Sequence, residues 1–201
     1  MILPSSSGGG SFEVTPAGTH TAICIGIVDQ GTQPNAFDPE SPPKRQVRFT
    51  FELADEKMAD NRPFTQSAWL TLSSHEKSTM ARYIKQWTGK DASGFNIKDL
   101  LGKAATVTIS NYTGQNGANR AKITNVAAPM KGVKVGTAEN PIIYFSLDPK
   151  EFDEDVFYAL NEKERTKITD TPEYRRLSSA PTAPAKVSDA GYAGADSNAP
   201  F

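Results

Sequence analysis

The sequence predicts a mainly β fold: five short strands with one helix between the third and fourth, then a C-terminal helical extension and a disordered tail. Three observations lead there. Residues 45–53 alternate strictly, with Val47, Phe49, Phe51 and Leu53 on one side and Gln46, Arg48, Thr50 and Glu52 on the other, the period of a half-buried strand. Met80, Tyr83, Ile84 and Trp87 recur at helical spacing between two β-like stretches. From Ser178 onward the composition falls to Ala, Pro, Ser, Gly and Asp, which bury too little surface to offset the entropy of ordering.

Taken in chain order, residues 1–11 are a flexible Ser/Gly lead-in. Residues 12–128 form the β-rich domain. Its first strand is expected over Thr19–Val28, with Ile23, Ile25 and Ile27 on one face, the turn Pro16–Gly18 before it and Asp29-Gln30-Gly31 ending it. A polar, Pro-rich loop covers Pro34–Pro43. The second strand is Arg45–Leu53 and the third Phe64–Leu72, where Ala68, Leu70 and Leu72 share a face and Trp69 falls on the other. Ser73 or Ser74, with Glu76 in the first turn, suits a helix start, and Gly89 suits its end. Ile97–Leu101 is one short turn. Ala104–Tyr112 and Ala121–Val126 are the fourth and fifth strands, joined by a polar loop containing Gly114 and Gly117. Residues 129–177 are an extended and then helical extension. Phe152, Val156, Phe157 and Leu160 make an apolar stripe that packs on the domain or on a second subunit, so a homo-oligomer stays open. Residues 178–201 are the disordered tail.

Composition bounds the function classes. The 201 residues carry 22 Lys+Arg against 23 Asp+Glu, a formal net charge of −1, without the overall basic excess common in nucleic-acid binders. A near-neutral chain still binds a polyanion if its cations share one groove. The single cysteine, Cys24, sits in an apolar run and reads as a small buried hydrophobe, which fits a reducing, cytoplasmic setting. The start, Met1-Ile2-Leu3-Pro4, breaks at once into Ser and Gly, unlike a signal peptide, and no apolar run approaches the roughly 20 residues a membrane span needs. No membrane partner is expected.

Strand, strand, strand, helix, strand, strand is the element order of an OB-fold, a five-stranded barrel with a helix between strands three and four. Pro16–Ala22 (PAGTHTA), Ile27–Gln33 (IVDQGTQ), Ser74–Ser78 (SHEKS), Trp87–Lys90 (WTGK) and Leu100–Lys103 (LLGK) together resemble a family of phage-encoded single-stranded DNA-binding proteins, from about Phe12 to Met130. The resemblance implies an OB-fold and service in phage DNA replication, recombination or repair. The tail is similar to that of bacterial single-stranded DNA-binding proteins: a flexible linker, acidic residues and a terminal Pro-Phe. In that family the terminal phenylalanine docks on replication and repair enzymes. Asp196, Pro200 and Phe201 are the matching positions here, although only Asp189 and Asp196 are acidic where the bacterial tip has several acids in a row.

Binding unpaired DNA without sequence preference requires cations along a groove and exposed rings that stack on bases, each stack contributing about 1–3 kcal/mol. Applied to OB geometry, this selects Lys44, Arg45 and Arg48 on the second strand, Trp69 on the third, and Tyr112, Arg120 and Lys122 around the last hairpin. Phe37, in the long loop, could fold over bound DNA. Tyr83 and Trp87 belong to the helix's apolar stripe and are expected in the core.

The residues offer no catalytic constellation and call for no cofactor or metal. His20 and His75 have no second His or Cys at ligand spacing, and Gly89-Lys90-Asp91 is not a phosphate-binding loop. Asp153-Glu154-Asp155 read as a solvated helix face. The leading expectation is a non-enzymatic protein that coats single-stranded DNA and recruits replication or recombination proteins through its C-terminus. A protein-binding accessory module and a metal-dependent nuclease remain as alternatives.

Overall fold

The computed structural model describes residues 13–35, 38, 40–133 and 135–179. Phe37 and the tip residues Asp196, Pro200 and Phe201 lie outside the described residues. The fold is mainly β. Strands β1 (Gly18–Gln33), β2 (Lys44–Lys57), β3 (Pro63–Thr71), β4 (Ala104–Thr113) and β5 (Asn119–Ala127) form an antiparallel sheet in the order β3-β2-β1-β4-β5. A short strand, β6 (Ile143–Phe145), pairs in parallel with β1 through Gly26, Ile27 and Val28. Helix α1 (Thr79–Thr88) lies between β3 and β4, and α2 (Glu154–Ala159), α3 (Glu162–Thr169) and α4 (Pro172–Ser179) follow β6.

The central strand departs from expectation in two ways. Asp29-Gln30-Gly31 does not end β1; it makes a bulge, and the strand continues to Gln33. Gly31 takes a left-handed φ of 66°, which inserts one extra residue without breaking the ladder, and the Asp29 carboxylate accepts its N–H at 3.0 Å. A second register shift, between Cys24 and Gly26, reassigns the faces. Ala22, Cys24 and Ile27 join the main core, whereas Ile23 and Ile25, although buried, do not belong to it. The expected Ile23/Ile25/Ile27 face is therefore wrong, because a bulge flips the alternation that a continuous strand would keep.

The main core is the inner face of the sheet closed by α1. Val47, Phe49, Phe51 and Leu53 from β2 meet Phe64, Ala68 and Leu70 from β3 and Met80, Tyr83, Ile84 and Trp87 from α1, as their periods predict. Leu72, placed on that face by the pattern, is 38% exposed just past the end of β3. The Trp87 ring packs 5.6 Å from Phe51, and its Nε1 donates to the Ala104 carbonyl at 2.7 Å, which satisfies the indole in the core. Helix α1 starts later than the Ser73/Ser74 reading: Ser78 is its N-cap, its hydroxyl accepting the Ala81 N–H at 3.0 Å, and residues 73–78 form a turn in front of it. Gly89, at φ 74°, closes it with an N–H to the Lys85 carbonyl.

A smaller core lies on the other side of β1. Val28 and Phe145 pack with Leu147, Phe157, Leu160 and Ile168, and Phe152, Tyr174 and Leu177 border them. This apolar stripe packs on the chain's own sheet. It covers β1 at Val28, within a strand that is buried from His20 to Gly31 and whose sequence there lacks polar alternation. Among the described residues no helix is long and apolar enough to cross a membrane.

Candidate nucleic-acid interface

Beyond the inner core, β3 turns Ser67, Trp69 and Thr71 outward. Alternation dictates this: with Ala68 and Leu70 inside, Trp69 has no place in the core, and it is 50% exposed. An exposed tryptophan is uncommon enough to mark a surface. On the far side of a groove of about 1010 Å³ stand Tyr112, 43% exposed, and Lys122, whose Nζ lies 5.4 Å from the Tyr112 ring centre. Lys44 from β2, and His75 and Lys77 from the turn before α1, also line the groove. At its floor Gln66 Nε2 donates to the Ala121 carbonyl at 3.1 Å, which ties β3 to β5, the two ends of the sheet order.

Of the residues singled out by sequence, Lys44, Trp69, Tyr112 and Lys122 come together in this groove. Arg120 lies opposite Tyr112 across the β4–β5 ladder and sits over Gly114, outside the groove wall. Arg45 and Arg48 are elsewhere engaged. Arg45 forms a two-point ion pair with Asp29, its Nε at 3.2 Å and its Nη2 closer still. The hydrogen bond to Asp29 raises the Arg45 pKa above its usual value against the opposing effect of burial, so the guanidinium stays charged.

Arg48 does face away from the core, opposite Trp69, but α3 covers it. Its Nε and Nη2 donate to the two oxygens of Glu164 at 2.7 and 2.9 Å. The Arg48 and Glu164 side chains are 18% and 4% exposed, so Arg48 is a structural ion pair here, not an open cation. Nor does it pair with Glu52, which is buried and accepts the backbone N–H groups of Glu139 and Asn140, each at 2.8 Å.

The pattern missed other contributors. Lys77 reads from sequence only as part of an exposed helix face, yet the turn before α1 brings it to the groove. Lys167, from α3, places its Nζ 5.6 Å from the Trp69 ring centre. No local signal finds Lys167, because it lies 98 positions beyond Trp69 in the chain. Tyr83 forms part of the groove wall beneath the Arg82 guanidinium, and burial raises its hydroxyl pKa against the lowering effect of that cation.

His20 is buried, with Nε2 3.1 Å from the Pro16 carbonyl and Nδ1 3.4 Å from Asp55, a structural setting. Asp153 caps α2 by accepting the Val156 N–H at 3.1 Å, and Glu154 and Asp155 are exposed in its first turn. Among the described residues no group of three or more His, Cys, Asp or Glu side chains is placed to hold a metal ion. The arrangement can do two things chemically: stack flat rings against Trp69 and Tyr112, and neutralise anionic groups along a lysine-lined path. No protein-family model matches this chain, and none of the curated proteins matches it.

Proposed function

We propose that this protein binds single-stranded DNA without sequence preference, along the groove between β3, β5 and the start of α1. One observation carries the reading. Lys44, Lys77 and Lys122 line the groove beside two half-exposed rings, and no Asp or Glu among the described residues lines it, in a chain of net charge −1. The cations are concentrated where stacking surfaces are, the pairing that unpaired nucleotides require. Duplex DNA keeps its base faces stacked inside and cannot use Trp69 or Tyr112 in this way.

The strand order, the helix between β3 and β4, and the Gln66–Ala121 hydrogen bond support a five-stranded barrel of OB type, whose usual ligand surface includes strand three and the loop between strands four and five. Coating of exposed strands during phage replication or recombination, with partner enzymes recruited through Phe201, is the role that agrees with both sequence resemblances. A protein-binding module is the second reading, favoured by the near-neutral net charge.

Anisotropy of a labelled oligo-dT across a salt series separates them. Each phosphate-neutralising lysine adds about −0.7 to the slope of log K against log salt, so three groove lysines predict a slope of about −2 or steeper. Duplex DNA should compete poorly, and Trp69→Ala should cost about 1–3 kcal/mol of affinity. No binding at low salt, or equal competition by duplex, overturns the proposal.

A further inference from the structure

The groove does not stop at Trp69. Ser67 and Trp69 also form one wall of a second recess of about 300 Å³, whose opposite wall is α3, with Asn161, Lys163 and Lys167. The two recesses meet at the tryptophan. Lys163 and Lys167 are four residues apart, so they stand one above the other on the same face of α3. Both are exposed. The acids of α3 do not cancel them. Glu162 and Asp170 line neither recess, and Glu164, which does reach the second, is buried and occupied by Arg48, Gln30 and Asn161.

We infer that α3 is the second bank of the binding path: a DNA single strand stacked on Trp69 continues from the Lys44/Lys77/Lys122 groove onto Lys163 and Lys167, which neutralise its next phosphates. This rests on the single-strand reading of the groove. The C-terminal helices thereby become part of the DNA site, beyond their packing role on β1. Arg48 acts here through another group. By gripping Glu164 it positions α3 at the height of the Trp69 ring, with Lys167 already 5.6 Å from the ring centre. The path fits a phosphodiester chain because its cations flank a stacking platform on both sides. A compact anion would need them converged on one point.

The test uses the full chain and a labelled oligo-dT of about 15 nucleotides, near the upper site size of a single OB module. Lys163→Gln/Lys167→Gln removes two phosphate contacts. Counterion release then predicts affinity about 25-fold weaker near 0.1 M salt and a slope flatter by about 1.4. Lys103→Gln/Lys150→Gln, which removes the same charge from positions lining neither recess, should change affinity less than about twofold. Thermal unfolding checks that both variants fold as the parent does. If the parent binds and the α3 variant matches it in affinity and slope, α3 is no part of the path, and the groove reading survives. If both variants weaken binding equally, the effect is general charge and the inference falls. If the parent itself ignores oligo-dT, both readings fall together.

Discussion

Glu164→Ala removes a carboxylate, its side chain 4% exposed, from the contact between α3 and β2. That carboxylate accepts hydrogen bonds from Arg48 Nε at 2.7 Å, Arg48 Nη2 at 2.9 Å, Gln30 Nε2 at 2.5 Å and Asn161 Nδ2 at 3.1 Å. Without it the Arg48 guanidinium is left charged and mostly buried. Breaking a buried pair by deleting one partner costs about 3–5 kcal/mol, and the guanidinium's residual exposure places this case near 3. Gln30, fully buried, keeps only a long 3.4 Å bond to the Val28 carbonyl, which adds about 1 kcal/mol. Asn161 is exposed and turns to water at little cost. The expected loss is about 4 kcal/mol. Urea unfolding followed by far-UV circular dichroism measures it as a lower midpoint at unchanged slope. Arg48→Met/Glu164→Leu should recover most of the loss, because the cost lies in the orphaned charge and not in the missing attraction. A loss below about 1 kcal/mol for Glu164→Ala, or strict additivity with Arg48→Ala, would refute the reasoning.

Other consequences follow from the same architecture. Gly31→Ala should destabilise by about 2–4 kcal/mol in thermal unfolding, since a Cβ there would sit 2.7 Å from three atoms of Thr171 while the backbone keeps a left-handed φ of 66°; an unchanged melting temperature would contradict it. Burial pushes the Cys24 thiol up to about 12, against a small lowering by a backbone hydrogen bond from Gly26, so at neutral pH a disulfide exchange reagent should label it only as fast as the protein opens. Burial pushes the Glu173 carboxyl up, but hydrogen bonds from the Thr32 hydroxyl and N–H, at 2.7 and 2.9 Å, hold it below its ordinary value of 4.5. A depressed carboxyl stabilises the charged, docked form. The attachment of α4 to β1 should therefore be complete above about pH 4.5 and fail as pH falls through the lower folded value, seen as faster amide exchange at Thr32.

What the sequence made legible follows from how local the physics is. The face of β2 and the stripe of α1 could be read because each is set by residues a few positions apart, and Val47, Phe49, Phe51, Leu53, Met80, Tyr83, Ile84 and Trp87 all reach the core. The outward position of Trp69 came from the same alternation. The faces of β1 were not readable, because the bulges at Cys24/Gly26 and Asp29/Gly31 shift the period by backbone geometry that residue types mark only weakly. The fates of Arg45 and Arg48 were hidden for a different reason. Arg45 finds Asp29 across a ladder, and Arg48 finds Glu164 from 116 residues away, so cations that pattern places on an outer face are neutralised by tertiary contacts. Lys167 is the converse, a residue of an ordinary charged helix that packing delivers to the Trp69 ring.

The chain's two tryptophans make the central claim directly measurable. Trp87 is buried in the core with its indole N–H satisfied, whereas Trp69 stands half exposed in the groove. Titrating the intrinsic fluorescence with oligo-dT at low salt should give saturable quenching that disappears in Trp69→Phe while Trp87 continues to emit. Emission unmoved by saturating oligo-dT, or quenching that persists in Trp69→Phe, would contradict the claim that bases stack on this ring.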